Sequence, residues 1–515
     1  MTQHLYNSHH EMIIDLAIAD RNLFEQIEEI KTLYQSDTRA WVIGFSGGKD
    51  STVVLSLVYQ ALKQLDKDNL TKPVYVICSD TLVETPVVVG LIKKVLNDVE
   101  SAAKRDGIPL TAHLVVPDVK NTFWANLLGK GYPAPTKSFR WCTERMKIRP
   151  VTQFINETAT KFGEAIVVLG SRKEESAARS ASIEKHRIDD SLLSRHSNLP
   201  NAYTYMPIQN WSADDVWQYL LSAPSPWGEN HDQLFAMYKD SNQGECPLVV
   251  DSKSQSCGNS RFGCWTCTVV TKDRALHGLI DSGEEWMRPL LNFRDELYNS
   301  SQPENKERYR NFRRRTGNID IQTKYEPGVG RTNEVDVNED GSVRYVPGPY
   351  WMEYRQKWLK ELLEIEKNIR TQGIDIELIT RDELKAIRQE WLNDPVEADI
   401  ADSLPGIYRS VYPDDEIMWH KNDLGLDDTS VLGTLTKASK NHNISLELLK
   451  KSIGIEIEAS GGNRKGIYQK LGNLYSQDWG EKEEVLDRIH QEKNELNLFK
   501  NKRDGFKSML EGLKK

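Results

Sequence analysis

The chain has 515 residues, a formal net charge of −9 at pH 7, and a composition that is 38% hydrophobic and 28% charged. This length predicts two or three domains, and the composition suits a soluble globular protein. The acidic balance excludes a general affinity for nucleic acid, so any such contact must come from a local basic patch. No apolar run reaches about eighteen residues and no secretory leader opens the chain, so we expect a cytoplasmic protein without a membrane span.

The first half of the chain alternates apolar runs with helical patterns. Residues 11–37 are predicted to form an amphipathic helix, and a second helix is expected over 51–65. Four strands are predicted from AWVIGFS (40–46), VYVICSD (74–80), TAHLVVP (111–117) and AIVVLGSR (165–172). This alternation predicts an α/β fold with a doubly wound, mostly parallel sheet, in which ligands bind at the carboxyl ends of the strands.

The stretch GFSGGKDST (44–52) lies where the first predicted strand ends and a helix begins. A polar turn is the plain interpretation, since loops with two glycines are common. The full string favours phosphate binding, because glycines let backbone N–H groups face an anion and the helix N-terminus adds partial positive charge. Lys49 supplies a mobile cation, and the string lacks the GxxxxGK[ST] spacing of a Walker A loop.

SGGKDS resembles the PP-loop of ATP pyrophosphatases, which split ATP into AMP and pyrophosphate while adenylating a substrate. Three further stretches resemble the phosphoadenylyl-sulfate (PAPS) reductase branch: SDTLVETP (79–86), GSRKEESAAR (170–179) and PIQNWSADDVWQYL (207–220). The third stretch, 207–220, also has the pattern of a helix capped by Ser212, and we interpret it as structural. The resemblance implies catalytic roles for Lys49, Asp50 and Arg172. It implies nucleotide contacts from Ser46, Gly47, Gly48, Lys49, Asp50, Ser51, Asp80 and Arg172.

Six cysteines are too few for a disulfide scaffold in a chain of this length. Cys264 and Cys267 form a C-x-x-C pair in CGNSRFGCWTC, which begins at Cys257, whereas Cys142 lies far upstream. One close pair with one distant cysteine favours a [4Fe–4S] cluster over zinc, and a redox dithiol remains as the alternative. The expected ligands are Cys142, Cys257, Cys264 and Cys267, with Cys246 in reserve, while Cys78 reads as a buried core thiol.

Together, the nucleotide motifs, the cysteine segment and the long C-terminal extension with YVPGPYWMEYRQKWL (345–359) resemble the DndC family. That family is the sulfur-incorporating component of bacterial DNA phosphorothioation. The resemblance implies replacement of a non-bridging phosphate oxygen of DNA by sulfur, with ATP, Mg²⁺ and a [4Fe–4S] cluster. It also implies a cysteine desulfurase as sulfur donor and the DndD and DndE components as partners.

The expected organisation is an N-terminal helical segment (1–37), a PP-loop domain with the cysteines (38–295) and a mainly helical C-terminal region (296–515). Within that region, Asp340-Gly341 predicts a hairpin near 334–346, and helices are expected over 351–370 and 481–515. The run KERYRNFRRR (306–315) is basic inside an acidic protein. It is either a solvated helix face or a DNA contact through Arg308, Arg310, Arg313, Arg314 and Arg315.

Two other functions compete with DNA phosphorothioation. One is small-molecule or tRNA sulfur chemistry in the PAPS reductase-like class, although no cysteine follows Cys267 and tRNA thiolation usually pairs two C-x-x-C motifs. The other is a non-catalytic nucleotide-binding scaffold of a DNA-modification complex. The intact SGGKDS disfavours a scaffold, and pyrophosphate release distinguishes an enzyme from one.

Overall fold

The computed structural model describes residues 17–18, 21–228, 230–241, 263–326, 328, 330–399, 401–419, 429–460, 464 and 466–512. It divides into two compact units, the first comprising Met1–Phe123 and Pro135–Leu297 and the second Trp124–Ala134 and Tyr298–Lys515. The boundary expected at 295–296 lies next to Leu297. The short piece Trp124–Ala134 belongs to the second unit, which no sequence pattern indicated.

The first unit is built on a six-stranded sheet. Its strands are β3 (Ala40–Gly44), β4 (Val74–Ser79), β5 (Leu110–Val115), β6 (Ala165–Val168), β7 (Leu193–Arg195) and β8 (Ala202–Tyr205). The order across the sheet is β5-β4-β3-β6-β8-β7, and only the β7–β8 pair is antiparallel. The predicted doubly wound, mostly parallel sheet is confirmed. The two short strands β7 and β8 were not predicted.

The first unit also contains helices. They are α1 (Leu23–Gln35), α2 (Lys49–Lys63), α3 (Pro86–Asp106), α4 (Arg149–Phe162), α5 (Ala177–His186), α6 (Ala213–Ser222), α7 (Asp232–Ser241), α8 (Arg274–Asp281) and α9 (Arg288–Ser300), the last of which crosses the unit boundary. Side chains alternate along β3: Trp41 and Ile43 join one buried cluster, whereas Val42 joins another with Ile155 of α4. The two-residue period of a strand therefore feeds two hydrophobic cores, one on each face.

The N-terminal helix begins later than predicted. Residues 17–18 (β1, Ala17–Ile18) and 21–22 (β2, Arg21–Asn22) pair as antiparallel strands, and the helix starts at Leu23. The helix prediction was therefore wrong over these four residues, while residues 1–16 and 19–20 lie outside the described part. The apolar spacing holds the reason, because Ile18 and Leu23 are five residues apart and a helical face repeats every three or four.

The second unit is mainly helical. Its helices are α10 (Lys306–Tyr309), α11 (Met352–Thr371), α12 (Arg381–Leu392), α13 (Ser403–Val411), α14 (Thr429–His442), α15 (Leu446–Ser460), α16 (Ile467–Tyr475) and α17 (Lys482–Gly512). Strands β9 (Thr323–Glu326) and β10 (Gly330–Val335) pair antiparallel. Beyond them the chain reverses at Gly341, whose φ is +84°, and Val337 bridges Val343. In the parts described, no helix is both long and apolar enough to cross a membrane.

Candidate functional site

The loop between β3 and α2 contains two consecutive glycines and requires glycine at the first of them. Gly47 has a φ of +73°, and a Cβ there would lie 2.6 Å from Cγ1 of Ile92. Gly48 is the N-cap residue of α2 with extended backbone. Any larger residue at Gly47 would have a strained backbone and would clash with the buried side chain of Ile92. Glycine therefore lets the loop pass close to the N-terminus of α2, where backbone N–H groups suit an anion.

Hydroxyl groups hold this loop in shape. The Ser46 amide donates to Oγ of Ser51 at 3.2 Å, and the same Ser51 oxygen lies 3.2 Å from Oγ of Ser46. Ser51 and Thr52 in turn donate to the Gly48 carbonyl at 2.9 and 3.0 Å. Ser51 and Thr52 thus fix the loop, and both are buried.

Two cations converge on Asp50 at this loop. Lys49 Nζ lies 2.7 Å from Oδ2 of Asp50, and Arg172 Nε lies 2.6 Å from Oδ1. Arg172 follows β6 and is 5% exposed, and it also donates to the Trp211 carbonyl at 3.2 Å. Gly170 allows this approach, because a Cβ there would lie 2.9 Å from the Asp50 carbonyl carbon. The chain order of the sheet reverses between β3 and β6, so these charges lie at the switch point where such folds bind ligands.

Tyr238 of α7 also contacts the loop, and no sequence pattern indicated this contact. The Lys49 amide donates to the Tyr238 hydroxyl at 3.2 Å. Burial raises the pKa of Tyr238 to about 12, so the phenol stays neutral near pH 7. Tyr238 therefore supports the first turn of α2 as a neutral partner, 189 residues away in the chain.

Asp80 builds a turn at the end of β4. Its Oδ1 accepts from the Leu82 amide at 2.8 Å, and its own amide donates to the Val115 carbonyl at 3.0 Å. Leu82 has a φ of +63°, a conformation that a leucine seldom adopts without support from its surroundings. One carboxylate oxygen of Asp80 thus shapes the loop, and its predicted nucleotide contact stays a prediction.

The C-x-x-C segment runs antiparallel along this same loop. The Trp265 amide donates to the Val83 carbonyl at 3.0 Å, and Glu84 pairs with Cys264 as an isolated bridge. Thr81 Oγ1 lies 3.3 Å from Sγ of Cys264. The thiols of this segment are therefore held against the carboxyl end of β4, which neighbours β3 in the sheet.

Lys147 and Glu84 add a charge pair beside the thiols. Lys147 Nζ lies 3.2 Å from Oε1 of Glu84. Burial raises the pKa of Cys264, and the Glu84 charge raises it further. Burial lowers the pKa of Lys147, but the negative charges of Cys264 and Glu84 outweigh it, so the net shift is upward. Glu84 and Lys147 were not selected from the sequence, although Glu84 falls inside the stretch SDTLVETP and Lys147 lies five residues after Cys142.

The described cysteines are all free thiols. Burial raises the pKa of Cys142, and nearby Cys267 raises it further, just as Cys267 adds to the upward shift at Cys264. These three thiols therefore lie close enough to act on one another. Cys78 lies in the core at 1% exposure, whereas Cys246 and Cys257 fall outside the described residues.

Among the residues that the structure describes, no three His, Cys, Asp or Glu side chains are grouped as a metal site. The chemistry of the donors nevertheless suits an iron–sulfur cluster, since thiolates are its usual ligands. Cys142, Cys264 and Cys267 would hold three of the iron atoms. A fourth thiolate would come from Cys257 or Cys246.

The basic run 306–315 has internal partners within the second unit. Arg310 donates to the carbonyls of Gly348, at 2.7 Å, and Pro347, and burial lowers its pKa to about 10. The others bond as follows: Arg313 to the Asp478 and Gly480 carbonyls, Arg314 to the Pro347 carbonyl and Arg315 to the Lys130 carbonyl. Arg308 is exposed and stacks near the Tyr309 ring. Four of the five arginines thus have a structural role, and DNA contact by the run stays a prediction.

Residues 40–270 match the family model of the phosphoadenosine phosphosulfate reductase domain. This part of the chain is PAPS reductase-like, and the predicted resemblance to that branch is confirmed. The match includes the loop after β3, Arg172 and the C-x-x-C pair. The second unit lies beyond it, apart from the short piece Trp124–Ala134.

Two curated relatives come from Methanocaldococcus jannaschii. The uncharacterized protein MJ0066 is 30% identical over 206 residues, which are 40% of this chain and 36% of the relative. The uncharacterized protein MJ0973 is 28% identical over 233 residues, 44% of this chain and 48% of the relative. The chain thus spans less than half the length of either relative, and neither name assigns an activity.

Similarities to solved structures are weak. A phosphoadenylyl-sulfate reductase from Candida auris is 14% identical, with a TM-score of 0.26 over 38% of this chain and 78% of that chain. The U34-tRNA thiolase NcsA from Methanococcus maripaludis, solved with its [4Fe-4S] cluster, is 13% identical, with a TM-score of 0.23 over 54% of this chain and 80% of that chain.

Proposed function

We propose that the chain is an ATP-dependent sulfurtransferase that converts ATP to AMP and pyrophosphate and replaces a non-bridging phosphate oxygen of DNA with sulfur. One observation carries this proposal. The glycine loop after β3 and the thiol-bearing segment against the end of β4 lie at the same edge of the sheet, on neighbouring parallel strands. A nucleotide site beside a group of thiols is what activation followed by sulfur transfer requires.

The loop residues would bind the ATP phosphates. Backbone N–H groups at Gly47 and Gly48 and the hydroxyl of Ser46 suit the phosphate oxygens, with Mg²⁺ carried on the triphosphate. Asp50 holds Lys49 and Arg172 in place through its two oxygens. These cations would stabilise the negative charge that develops on departing pyrophosphate.

The reaction balances without net oxidation when sulfide is the donor. A non-bridging oxygen of the DNA phosphodiester attacks the α-phosphorus of ATP, and pyrophosphate leaves. Hydrosulfide then attacks the DNA phosphorus, AMP leaves with the original oxygen, and one proton is released. Sulfur delivered as a persulfide by a cysteine desulfurase would require two further electrons from a reductant.

Cys142, Cys264 and Cys267, with a fourth thiolate from Cys257 or Cys246, would hold the [4Fe–4S] cluster. When bound, the cluster supplies a place for sulfur beside the nucleotide. Lys147, whose Nζ lies 3.2 Å from Oε1 of Glu84 beside the Cys264 segment, would balance part of the negative charge of these thiolates. Thr81 would orient the Cys264 sulfur through its hydroxyl.

DNA as the acceptor rests on the sequence resemblance to the DndC family, and so do the DndD and DndE partners. The PAPS reductase-like domain is equally compatible with a tRNA or a small sulfur-containing nucleotide as the substrate. These alternatives differ in the product: DNA or tRNA takes up sulfur, whereas PAPS releases sulfite. Assays of these products can therefore separate them.

The test is transfer of ³⁵S-labelled sulfide by the anaerobically purified full chain with ATP and Mg²⁺. Duplex DNA and tRNA are offered as acceptors, and PAPS is offered separately with a reductant for sulfite release. We expect label only in DNA, with AMP and pyrophosphate formed in equal amounts. Label in tRNA, or sulfite from PAPS, would assign the alternative function, and nucleotide binding without pyrophosphate would indicate a scaffold.

A matched pair of variants tests the role of the thiols. Cys264→Ser should lose bound iron and sulfur transfer together. Cys78→Ala removes a core thiol that is not an expected ligand, so it should keep its iron. Iron retained at the wild-type level in Cys264→Ser would exclude this residue as a cluster ligand.

A further inference from the structure

The second unit contains a cavity of about 360 Å³ that the proposed sulfur chemistry does not use. It lies beside the end of α12, the helix α15 and the helix α16. Three cations and three amides are among the residues that line it: Lys450, Lys451, Lys470, Asn393, Asn473 and Gln477. A pocket so rich in hydrogen-bond donors, and of a volume within the range of small-molecule sites, suits an anionic ligand.

Lys451 gives the strongest sign that the cavity binds a ligand. Its ammonium nitrogen is buried and donates to no hydrogen-bond acceptor among the described residues, although it lies 5.6 Å from the centre of the Trp479 ring. Burial lowers the pKa of Lys451 to about 8. A buried ammonium without an acceptor is costly, and a bound anion would supply the missing acceptor.

The side-chain amide of Gln477 also has a buried atom without a hydrogen-bond partner. Its Oε1 is buried without a donor among the described side and main chains. A ligand with an anionic group would satisfy Lys451, and hydrogen-bond donors on the same ligand would suit the amide side chains that line the cavity. Nucleosides carry such donors on the base and on the ribose.

The acidic side chains near the cavity do not cancel its positive charge. Asp394 lines the wall, but Arg355 lies 2.9 Å from it and Arg315 lies 3.9 Å from it. Arg355 also keeps two buried nitrogens, Nε and Nη2, without an acceptor in the described structure. Burial raises the pKa of Glu447, whereas the charges of Lys450 and Lys451 lower it.

We propose that this cavity is a second binding site, specific for a nucleoside phosphate. The lysines would bind the phosphate, and the amides would bind the polar edges of the base or sugar. Apolar surface from Ile455, Leu474 and Pro395 would contact the faces of the base. A volume of about 360 Å³ is within the range of small-molecule sites and suits a single nucleotide as the proposed ligand. The site lies wholly in the second unit and stands independently of the sulfur-transfer proposal.

The test is photolabelling of the full chain with 8-azido-AMP, followed by mass spectrometry of the peptides. We expect labelled peptides from 392–398 or 450–477, with the label displaced by AMP. Lys451→Met should reduce this labelling at least tenfold, and Lys440→Met, at an exposed lysine of α14, should leave it unchanged. Labelling of peptides near the β3–α2 loop reports the first site separately, so failure at one site is distinguishable from failure at the other.

Thermal unfolding of Lys451→Met separates ligand loss from misfolding. Removal of a buried, unpaired ammonium should leave the Tm unchanged or raise it. A variant that unfolds at lower temperature is replaced by Lys450→Met, which must lower labelling in the same peptides. The proposal is overturned if these peptides take no label at millimolar probe, if labelling survives both substitutions, or if a DNA oligonucleotide displaces the label while AMP does not.

Discussion

Arg172 donates its Nε–H to Oδ1 of Asp50 at 2.6 Å, which joins the end of β6 to the first turn of α2. The other carboxylate oxygen of Asp50 binds Lys49 at 2.7 Å. Because Arg172 is buried and also donates to the Trp211 carbonyl, its guanidinium is fixed before any ligand arrives. A phosphate would therefore meet cations whose positions are already set, which lowers the entropic cost of binding.

Replacement of Arg172 by lysine should weaken ATP binding. Lysine keeps the charge but loses the planar fork that reaches Asp50 and the Trp211 carbonyl together. Charged hydrogen bonds contribute about 1.5–3 kcal/mol, so we expect the Kd for ATP to rise roughly 10-fold to 100-fold. Equilibrium titration with ATP measures this. Arg187→Lys, at an exposed arginine, is the control, and equal affinities in both variants would exclude Arg172 from the nucleotide site.

The close approach at Gly170 gives a second prediction. A Cβ at this position would lie 2.9 Å from the carbonyl carbon and oxygen of Asp50, which are backbone atoms that cannot rotate away. Gly170→Ala should therefore displace the loop, lower the free energy of unfolding by about 1–3 kcal/mol and weaken ATP binding. Urea unfolding and ATP titration measure the two effects.

Gly90→Ala is the matched control for Gly170→Ala. Gly90 lies exposed in α3, and a Cβ there meets nothing within 4 Å. The same substitution should raise stability there by up to about 1 kcal/mol, because alanine favours a helix over glycine. Similar behaviour of the two variants would show that the approach at Gly170 is not tight.

The buried Cys78 thiol should make the folded protein less stable at alkaline pH. Burial raises the pKa of its thiol from 9.0 to about 12. Because the folded pKa exceeds the unfolded one, this contribution is complete below about pH 9 and disappears as the pH rises towards 12. Between about pH 8 and pH 10.5 the wild type should lose about 2 kcal/mol more than Cys78→Ala, as measured by urea unfolding. Parallel losses in the two proteins would mean that the Cys78 thiol ionises normally in the fold.

The basic run yields a prediction that separates structure from DNA contact. Arg310 is buried and donates to two main-chain carbonyls, so Arg310→Ala should lower the Tm and the free energy of unfolding by about 1–3 kcal/mol. Exposed Arg308 should contribute little to stability. Arg308→Ala should keep the wild-type Tm and weaken DNA binding, with the salt slope reduced by about 1. Unchanged DNA affinity in Arg308→Ala would leave the run with a structural role alone.

Local sequence patterns were enough to predict the central strands and the glycine turn between β3 and α2. Strands β3 to β6 are apolar runs, and Gly47 and Gly48 stand where a strand gives way to a helix. The pairing of β7 with β8 was missed because both are too short for a clear alternation. Tyr238 was missed because its contact with Lys49 depends on the packing of α7, which no local pattern reveals.

The thiol region likewise combines features that local sequence patterns predict with contacts that depend on the fold. The C-x-x-C spacing alone was enough to single out Cys264 and Cys267 as candidate ligands. The pairing of Cys264 with Glu84, and of Glu84 with Lys147, depends on contacts between three segments that are far apart in the chain. The internal hydrogen bonds of the arginine run could not be predicted, because a charge pattern gives no information on which guanidinium groups bind main-chain carbonyls inside the fold.

The most direct test of the central claim is mass spectrometry of phosphorothioate linkages in genomic DNA of the native host. The comparison includes a deletion strain and the same strain complemented with the wild type, Cys264→Ser or Cys78→Ala. We expect the linkages to vanish on deletion, to return with the wild type and with Cys78→Ala, and to stay absent with Cys264→Ser. Linkages that persist after deletion, or that are absent from the native host under every growth condition, would contradict the assignment to DNA sulfur chemistry.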